Sequence, residues 1–96
     1  MTKQAVVIDE KDNVATATVD LKGGTKVSMF VADNVFDVVV NSDIPFGHKF
    51  AIKDINLHQH VIKYGESIGR AIQPIKVGDH VHVHNVESER GRGDWQ

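Results

Sequence analysis

Ile44-Pro45-Phe46-Gly47-His48-Lys49-Phe50, Ile55-Asn56-Leu57-His58-Gln59-His60-Val61 and Ile75-Lys76-Val77-Gly78-Asp79-His80-Val81 share one spacing. Each run opens on Ile, places Gly or His three residues later, and closes on an apolar residue six later. Glycine at a fixed place between apolar positions reads as a tight turn feeding a strand, because Gly alone reaches a positive φ without steric cost. Gly47 and Gly78 are therefore expected at positive φ. His58 holds the same place in the middle run, where a non-glycine residue is uncommon but easier for His than for a β-branched residue. A basic side chain follows at the fifth offset each time, as Lys49, His60 and His80. Three such corners predict a compact, folded-over β structure with long crossing ribbons.

The first half supplies further strands. Ala5–Ile8 and Val14–Val19 flank the polar turn Glu10-Lys11-Asp12-Asn13. Val14–Val19 sets Ala15, Ala17 and Val19 against Thr16 and Thr18 on the opposite side, the period-two alternation of a half-buried strand. These two strands are expected to form a hairpin. Lys22-Gly23-Gly24-Thr25 is a flexible turn, followed by strands at Lys26–Val31 and Val35–Val40. No segment carries a capped stripe of helical period. The expected class is an all-β single domain, residues 1–86, with a polar tail at residues 87–96.

Composition narrows the function classes. A chain of 96 residues suits one domain and leaves little interior for both a core and a deep cleft. Net charge is −2 with histidines neutral, so no basic field draws the chain to nucleic acid or acidic lipid. The absence of Cys excludes disulfides, thiolate nucleophiles and cysteine metal sites. No apolar run reaches the ~20 residues of a membrane-spanning helix, and the opening residues Met1 to Asp9 lack the long apolar core of a signal peptide. A cytoplasmic location is the expectation. The unusual feature is six histidines, all between residues 48 and 84.

Asp79-His80-Val81-His82-Val83-His84-Asn85 concentrates three of them. In an extended strand His80, His82 and His84 share one face, opposite Val81 and Val83. Side chains two apart stand roughly 6.5–7 Å from each other along a strand, so two neighbouring imidazoles can converge on one divalent metal. A third ligand from the same strand would need a bend, so a carboxylate, water or partner residue is the expected completion. Nitrogen ligands favour iron, zinc, copper or nickel over magnesium. The alternative is a row of histidines on the wet face of a half-buried strand. His58 and His60 read as surface residues of a corner. Lys63-Tyr64-Gly65 interrupts an apolar strand with a cation and a phenol, a pair that can hold a carboxylate or do acid–base chemistry if burial shifts a pKa. A snorkelling Lys beside a core-edge Tyr is the competing reading, and His48-Lys49 is open in the same way.

Three runs carry a resemblance: Asp43 to Ile55, beginning Asp43-Ile44-Pro45-Phe46-Gly47-His48-Lys49; Val61-Ile62-Lys63-Tyr64-Gly65-Glu66-Ser67-Ile68-Gly69-Arg70-Ala71; and Val77-Gly78-Asp79-His80-Val81-His82-Val83-His84-Asn85-Val86. Together they resemble the N-terminal SAF domain of the altronate and galactarate dehydratases, which also occurs as a separate small subunit. The resemblance implies a β-clip fold and a hydro-lyase assembly that removes water from a hydroxylated sugar acid, with a divalent metal, iron(II), held by this chain or only in the complex. In that chemistry a base takes the proton α to the carboxylate while the metal or an acid helps the β-hydroxyl leave. Carried onto this sequence, His48, Lys49, Lys63 and Tyr64 become the catalytic candidates. Lys49, Lys63, Gly65 and Asn85 become the substrate-binding candidates, and His82 and His84 the metal ligands. His58-Gln59-His60 departs from the family's glycine-containing corner. The expected partners are a large catalytic subunit and a sugar acid, with a homo-oligomer also open. Arg90, Arg92 and Trp95 of the tail are expected to anchor against the large subunit. Two rivals stand beside this reading. One is the small subunit of a sulfolactate sulfo-lyase, which expels sulfite instead of hydroxide. The other is a stand-alone sugar-acid or metal-binding module.

Overall fold

The computed structural model describes residues 4–7, 9, 11–31, 34–82 and 84–88. Ile8, Glu10 and the tail anchors Arg90, Arg92 and Trp95 lie outside the described residues. Among those described, every element is a strand: β1 (Ala5–Val6), β2 (Val14–Ala17), β3 (Lys26–Val31), β4 (Asn34–Val39), β5 (Lys49–Ala51), β6 (His60–Lys63), β7 (Glu66–Ala71), β8 (His80–Val81) and β9 (Val86–Ser88). They form one sheet in the order β1-β2-β5-β8, a two-stranded ribbon β3-β4, and a third sheet in the order β6-β7-β9. All pairings are antiparallel, and β1 and β2 make the expected hairpin through Ala5↔Ala17 and Val6↔Thr16. The all-β, β-clip expectation holds. β9 carries the third sheet to Ser88, so Glu87 and Ser88 pair with β7, and Arg70 meets Glu87 across that pairing at 2.9 Å.

The corners organise the fold, and there are four of them among the described residues. Gly47, His58 and Gly78 have φ of 85°, 71° and 92°, and Gly24 joins them at 91°. The fourth corner, Leu21-Lys22-Gly23-Gly24, opens on Leu and so escapes a spacing rule written for Ile. At every corner the residue after the positive-φ position closes a four-residue turn: Thr25 N–H to Lys22 O, His48 to Pro45, Gln59 to Asn56 and Asp79 to Lys76, at 2.9–3.0 Å. The corners then pair reciprocally. Gly24 N–H donates to Val40 O and Gly47 N–H to Ala17 O, while Leu21 and Ile44 exchange two bonds of 2.8 Å. The other pair repeats this: His58 N–H to Ala71 O, Gly78 N–H to Ala51 O, and two 2.8 Å bonds between Ile55 and Ile75. Each pair is thus a local two-fold. Aspartates just ahead of three corners lock the opposite turn, Asp20 accepting from Phe46 N–H, Asp43 from Gly23 N–H and Asp54 from Val77 N–H. The fourth such place is Pro74.

The four opening residues are the pegs of the core. Leu21 and Ile44 sit in one buried cluster with Val27, Met29, Val40 and Phe50. Ile55 and Ile75 sit in a second, with Val14, Val61, Ala71 and Val81. Fully burying one such side chain contributes about 1.5–3 kcal/mol, which favours one corner register over its neighbours.

Lys63-Tyr64-Gly65 does not interrupt a strand. Lys63 pairs with Glu66, and Tyr64 and Gly65 form the two-residue loop of a hairpin with φ of 57° and 76°. Two positive φ values are what the tight turn of a twisted hairpin requires. A buried polar segment holds it. The Asp12 carboxylate accepts from Gly65 N–H at 2.8 Å. The Asn13 side chain accepts from Ile62 N–H at 2.7 Å and donates to His60 O at 2.9 Å, bracketing the register shift between Val61 and Ile62.

Candidate functional site

The histidines converge where β5 meets β8. The register Lys49↔Val81 and Phe50↔His80 brings the start of β5 beside the end of β8. His48 is fixed just ahead of β5 by the Gly47 corner and by Ala17 N–H, which donates to its carbonyl at 2.9 Å. The extended strand expected through His84 ends instead at Val81, and His84 and Asn85 lie in a turn in which Asn85 N–H donates to His82 O at 3.1 Å. Asn85 is the cause: it is buried, its Oδ1 accepts from His82 N–H at 3.0 Å, and its Nδ2 donates to His80 O at 2.8 Å. Satisfying both ends of that buried amide with backbone groups favours the turn over continued pairing. Asn85 therefore shapes the histidine segment, and both its amide atoms are already engaged.

Within this geometry His48, His80 and His82 place one ring nitrogen each so that all three lie within 4.8 Å of one another. His48 Nδ1 and His80 Nε2 are 2.9 Å apart. The rings stack, with centroids 5.1 Å apart for His48–His80, 4.6 Å for His48–His82 and 5.5 Å for His80–His82. Nitrogens bonded to one tetrahedral ion at ~2.0–2.1 Å stand roughly 3.4 Å from each other, so small side-chain rotations separate this arrangement from a three-nitrogen metal site. The donor set fits a divalent transition metal. Of the two ligands expected from the sequence, His82 lies in the triad. His84 instead meets His80 from the side, centroids 5.5 Å apart and tilted by 38°. The third ligand comes from a neighbouring strand. His48, read from the sequence for catalysis, and His80, passed over in favour of its neighbours, complete the triad. Cross-strand pairing was the missing signal. His58 and His60 stand at the third corner, with His60 against Ser67 at 3.0 Å.

The same neighbourhood is strongly cationic. Burial lowers the Lys49 pKa, and the Lys63 ammonium lowers it further. Burial also lowers the His80 pKa, followed by the charges of His48, His84, His82 and Lys49. No carboxylate offsets either shift. Lys63 lies with its ammonium 4.7 Å from the centre of the Tyr64 ring, a cation–π contact at the tip of the β6–β7 hairpin. Gly65 is the second residue of that loop, and a Cβ there would press on the Asp9 carboxylate at 2.8 Å. His48, Lys49 and Lys63 thus share one electrostatic patch with the histidine triad, Tyr64 supports Lys63, and Gly65 and Asn85 form the backbone frame. A patch of this kind suits a carboxylate-bearing ligand beside a metal.

Residues 3–89 match the family described as altronate/galactarate dehydratase SAF domain. The chain is 46% identical over 85 residues to altronate dehydratase of Escherichia coli (strain K12), covering 88% of this chain and 16% of that protein. It is 35% identical over 86 residues to altronate dehydratase of Bacillus subtilis (strain 168), again covering 16% of the relative. Against the (2R)-sulfolactate sulfo-lyase subunit alpha of Chromohalobacter salexigens it is 41% identical over 88 residues, and there the match takes in 94% of the relative. The chain thus spans a small fraction of the dehydratases and nearly all of the sulfo-lyase subunit.

Proposed function

The chain belongs to the altronate/galactarate dehydratase SAF-domain family, and from that premise we propose that it is the small subunit of a hydro-lyase acting on a sugar acid. In this reading it supplies one face of an active site whose other face lies on a large catalytic subunit. The observation that carries the proposal is the convergence of His48, His80, His82, Lys49 and Lys63, from three separate strands and corners, into one cationic patch. The patch lies open at the surface, His82 being exposed, as one face of a shared site would be.

The residues divide the work as follows. Lys49 and Lys63 hold the substrate carboxylate, whose charge relieves their mutual repulsion. Lys49, made a weaker base by burial and by Lys63, is the group best suited to exchange a proton with the α-carbon. Tyr64 keeps Lys63 in place from a rigid turn. His48, His80 and His82 would hold a divalent metal, iron(II) in this reading. When bound, such an ion supplies Lewis-acid assistance to departure of the β-hydroxyl.

Coverage of 94% of the sulfo-lyase subunit favours a second reading, in which the same face serves a substrate that loses sulfite. Both readings are tested by purifying the chain with a co-expressed large lyase subunit encoded beside it. Altronate, galactarate and sulfolactate are then offered to the complex and to each part alone. Turnover by the complex but by neither part is expected, and sulfite release in place of dehydration selects the second reading. Normal turnover by the isolated chain would overturn the subunit reading. Failure to form any complex would favour a stand-alone binding module.

A further inference from the structure

Three of the four corner tips have their backbone N–H closed by an aspartate of the facing corner, and one does not. Asp20 accepts from Phe46 N–H at 2.8 Å, Asp43 from Gly23 N–H at 2.8 Å and Asp54 from Val77 N–H at 3.0 Å. The second corner pair repeats the two-fold of the first, which sets residue 74 against Leu57 N–H, and that residue is Pro74. A proline side chain has no acceptor, and Leu57 N–H has no partner among the described residues. Asn56, Leu57 and Pro74 are all exposed, so the donor stands among surface residues. The same corner departs from the others a second time, holding His58 at φ 71° where they use glycine. Each departure costs the isolated chain stability, the first a charge-assisted hydrogen bond and the second backbone strain. Strain of this kind clusters at clamps and functional sites.

What the tip calls for is an acceptor, and the fold itself uses a carboxylate at this place three times. The exposed Leu57 side chain, at 47%, gives that donor an apolar neighbour, as a point of protein contact would have. The corner also leads into the site. β6 runs from His60, two residues beyond His58, to Lys63, and β8 opens on His80, two residues beyond Gly78. A partner that completes the site therefore has this corner within its reach. In altronate dehydratase of Escherichia coli the matched segment is 16% of the protein, so most of that chain lies outside this domain and is available to cover its surface. Resting on the lyase reading above, we propose that the third corner is a docking point for the large subunit. The large subunit presents an Asp or Glu carboxylate that accepts from Leu57 N–H, in the role that Asp20, Asp43 and Asp54 play at the other corners.

Amide hydrogen exchange of the chain, alone and in complex with the co-expressed large subunit, tests this. In the chain alone Leu57 exchanges at least about tenfold faster than the bonded amides of Gly23, Phe46 and Val77, and in the complex it slows by about tenfold or more. Pro74→Asp restores the fourth carboxylate. It slows Leu57 exchange in the free chain and weakens association with the large subunit by about ten- to a hundredfold, because two carboxylates then compete for one N–H. Pro74→Ala supplies no acceptor and stays within about threefold of the wild type. An active complex in which Leu57 exchanges as fast as in the free chain overturns the docking point and leaves the lyase reading intact. A complex that protects Leu57 but turns over no sugar acid sustains the docking point and counts against the lyase reading. Equal affinity of all three chains, or equal loss in both variants, overturns the role of the carboxylate. Protection of Leu57 that grows with concentration in the chain alone assigns the corner to a second copy and overturns the proposal, as does failure to form any complex.

Discussion

His58 adopts φ 71° at a corner where the other three corners use glycine. A left-handed conformation costs a non-glycine residue roughly 1 kcal/mol, and His58 is exposed, so little is lost with its side chain. His58→Gly is expected to raise stability by up to about 1 kcal/mol in urea unfolding. The glycines separate conformational from steric cost. A Cβ at Gly47 meets nothing within 4 Å, whereas one at Gly78 would overlap the Val39 carbonyl oxygen. Gly47→Ala should therefore cost about 1 kcal/mol, and Gly78→Ala clearly more, because backbone must move. His80 carries a pH signature. Its pKa is lowered by burial and by neighbouring cations, so between that lowered value and ~6.5 the unfolded chain binds more protons than the folded one. The stability involved is fully present above the unfolded value and is lost as pH falls through this window. The urea midpoint of metal-free protein should drop from pH 7 to pH 5, and the slope should flatten in His80→Gln.

At the scale of elements, two polar devices set the site. Asp12 accepts from Gly65 N–H while almost wholly buried, at 1% exposure. Asp12→Ala would leave that amide without its partner and is expected to cost about 1–3 kcal/mol, read most directly as faster hydrogen exchange at Gly65. Asn85 does the same for the histidine turn. Asn85→Ala should weaken binding of a divalent transition metal by about 10- to 100-fold, as loss of an orienting partner does, with metal affinity followed by competition against a chromogenic chelator. Undiminished affinity would show that the turn holds its shape without the amide. The sequence was partly legible at this scale. The corners at Gly47, His58 and Gly78 could be placed from spacing alone, because a positive φ is a local demand. The turn at Tyr64-Gly65 could not, since a Tyr in the left-handed region depends on Asp12 and Asn13, which lie some fifty residues away in the chain.

Over the whole molecule, the two reciprocal corner pairs divide the core into two clusters, each with its own pegs. Ile44→Ala and Ile55→Ala should each cost about 2–5 kcal/mol. Because the clusters are separate, the double variant should be close to additive, which denaturant unfolding of the single and double variants measures. Strong coupling between the two would show that the clusters share packing.

What the sequence determined by itself was everything set by near neighbours. That covers the all-β class, from period-two alternation and the absence of helical stripes, and three of the four corners, from glycine spacing. Lys49, Lys63 and the histidines were also legible as candidates for the site, because their chemistry does not depend on where the chain goes. Tertiary structure decided which of them meet. His48 reaches His80 across 32 residues of chain only because β5 and β8 pair in one register. His84 leaves the metal triad only because Asn85 bends the strand that would have aligned it. Pairing register is a sum of many weak long-range contacts, and no short stretch of sequence carries it.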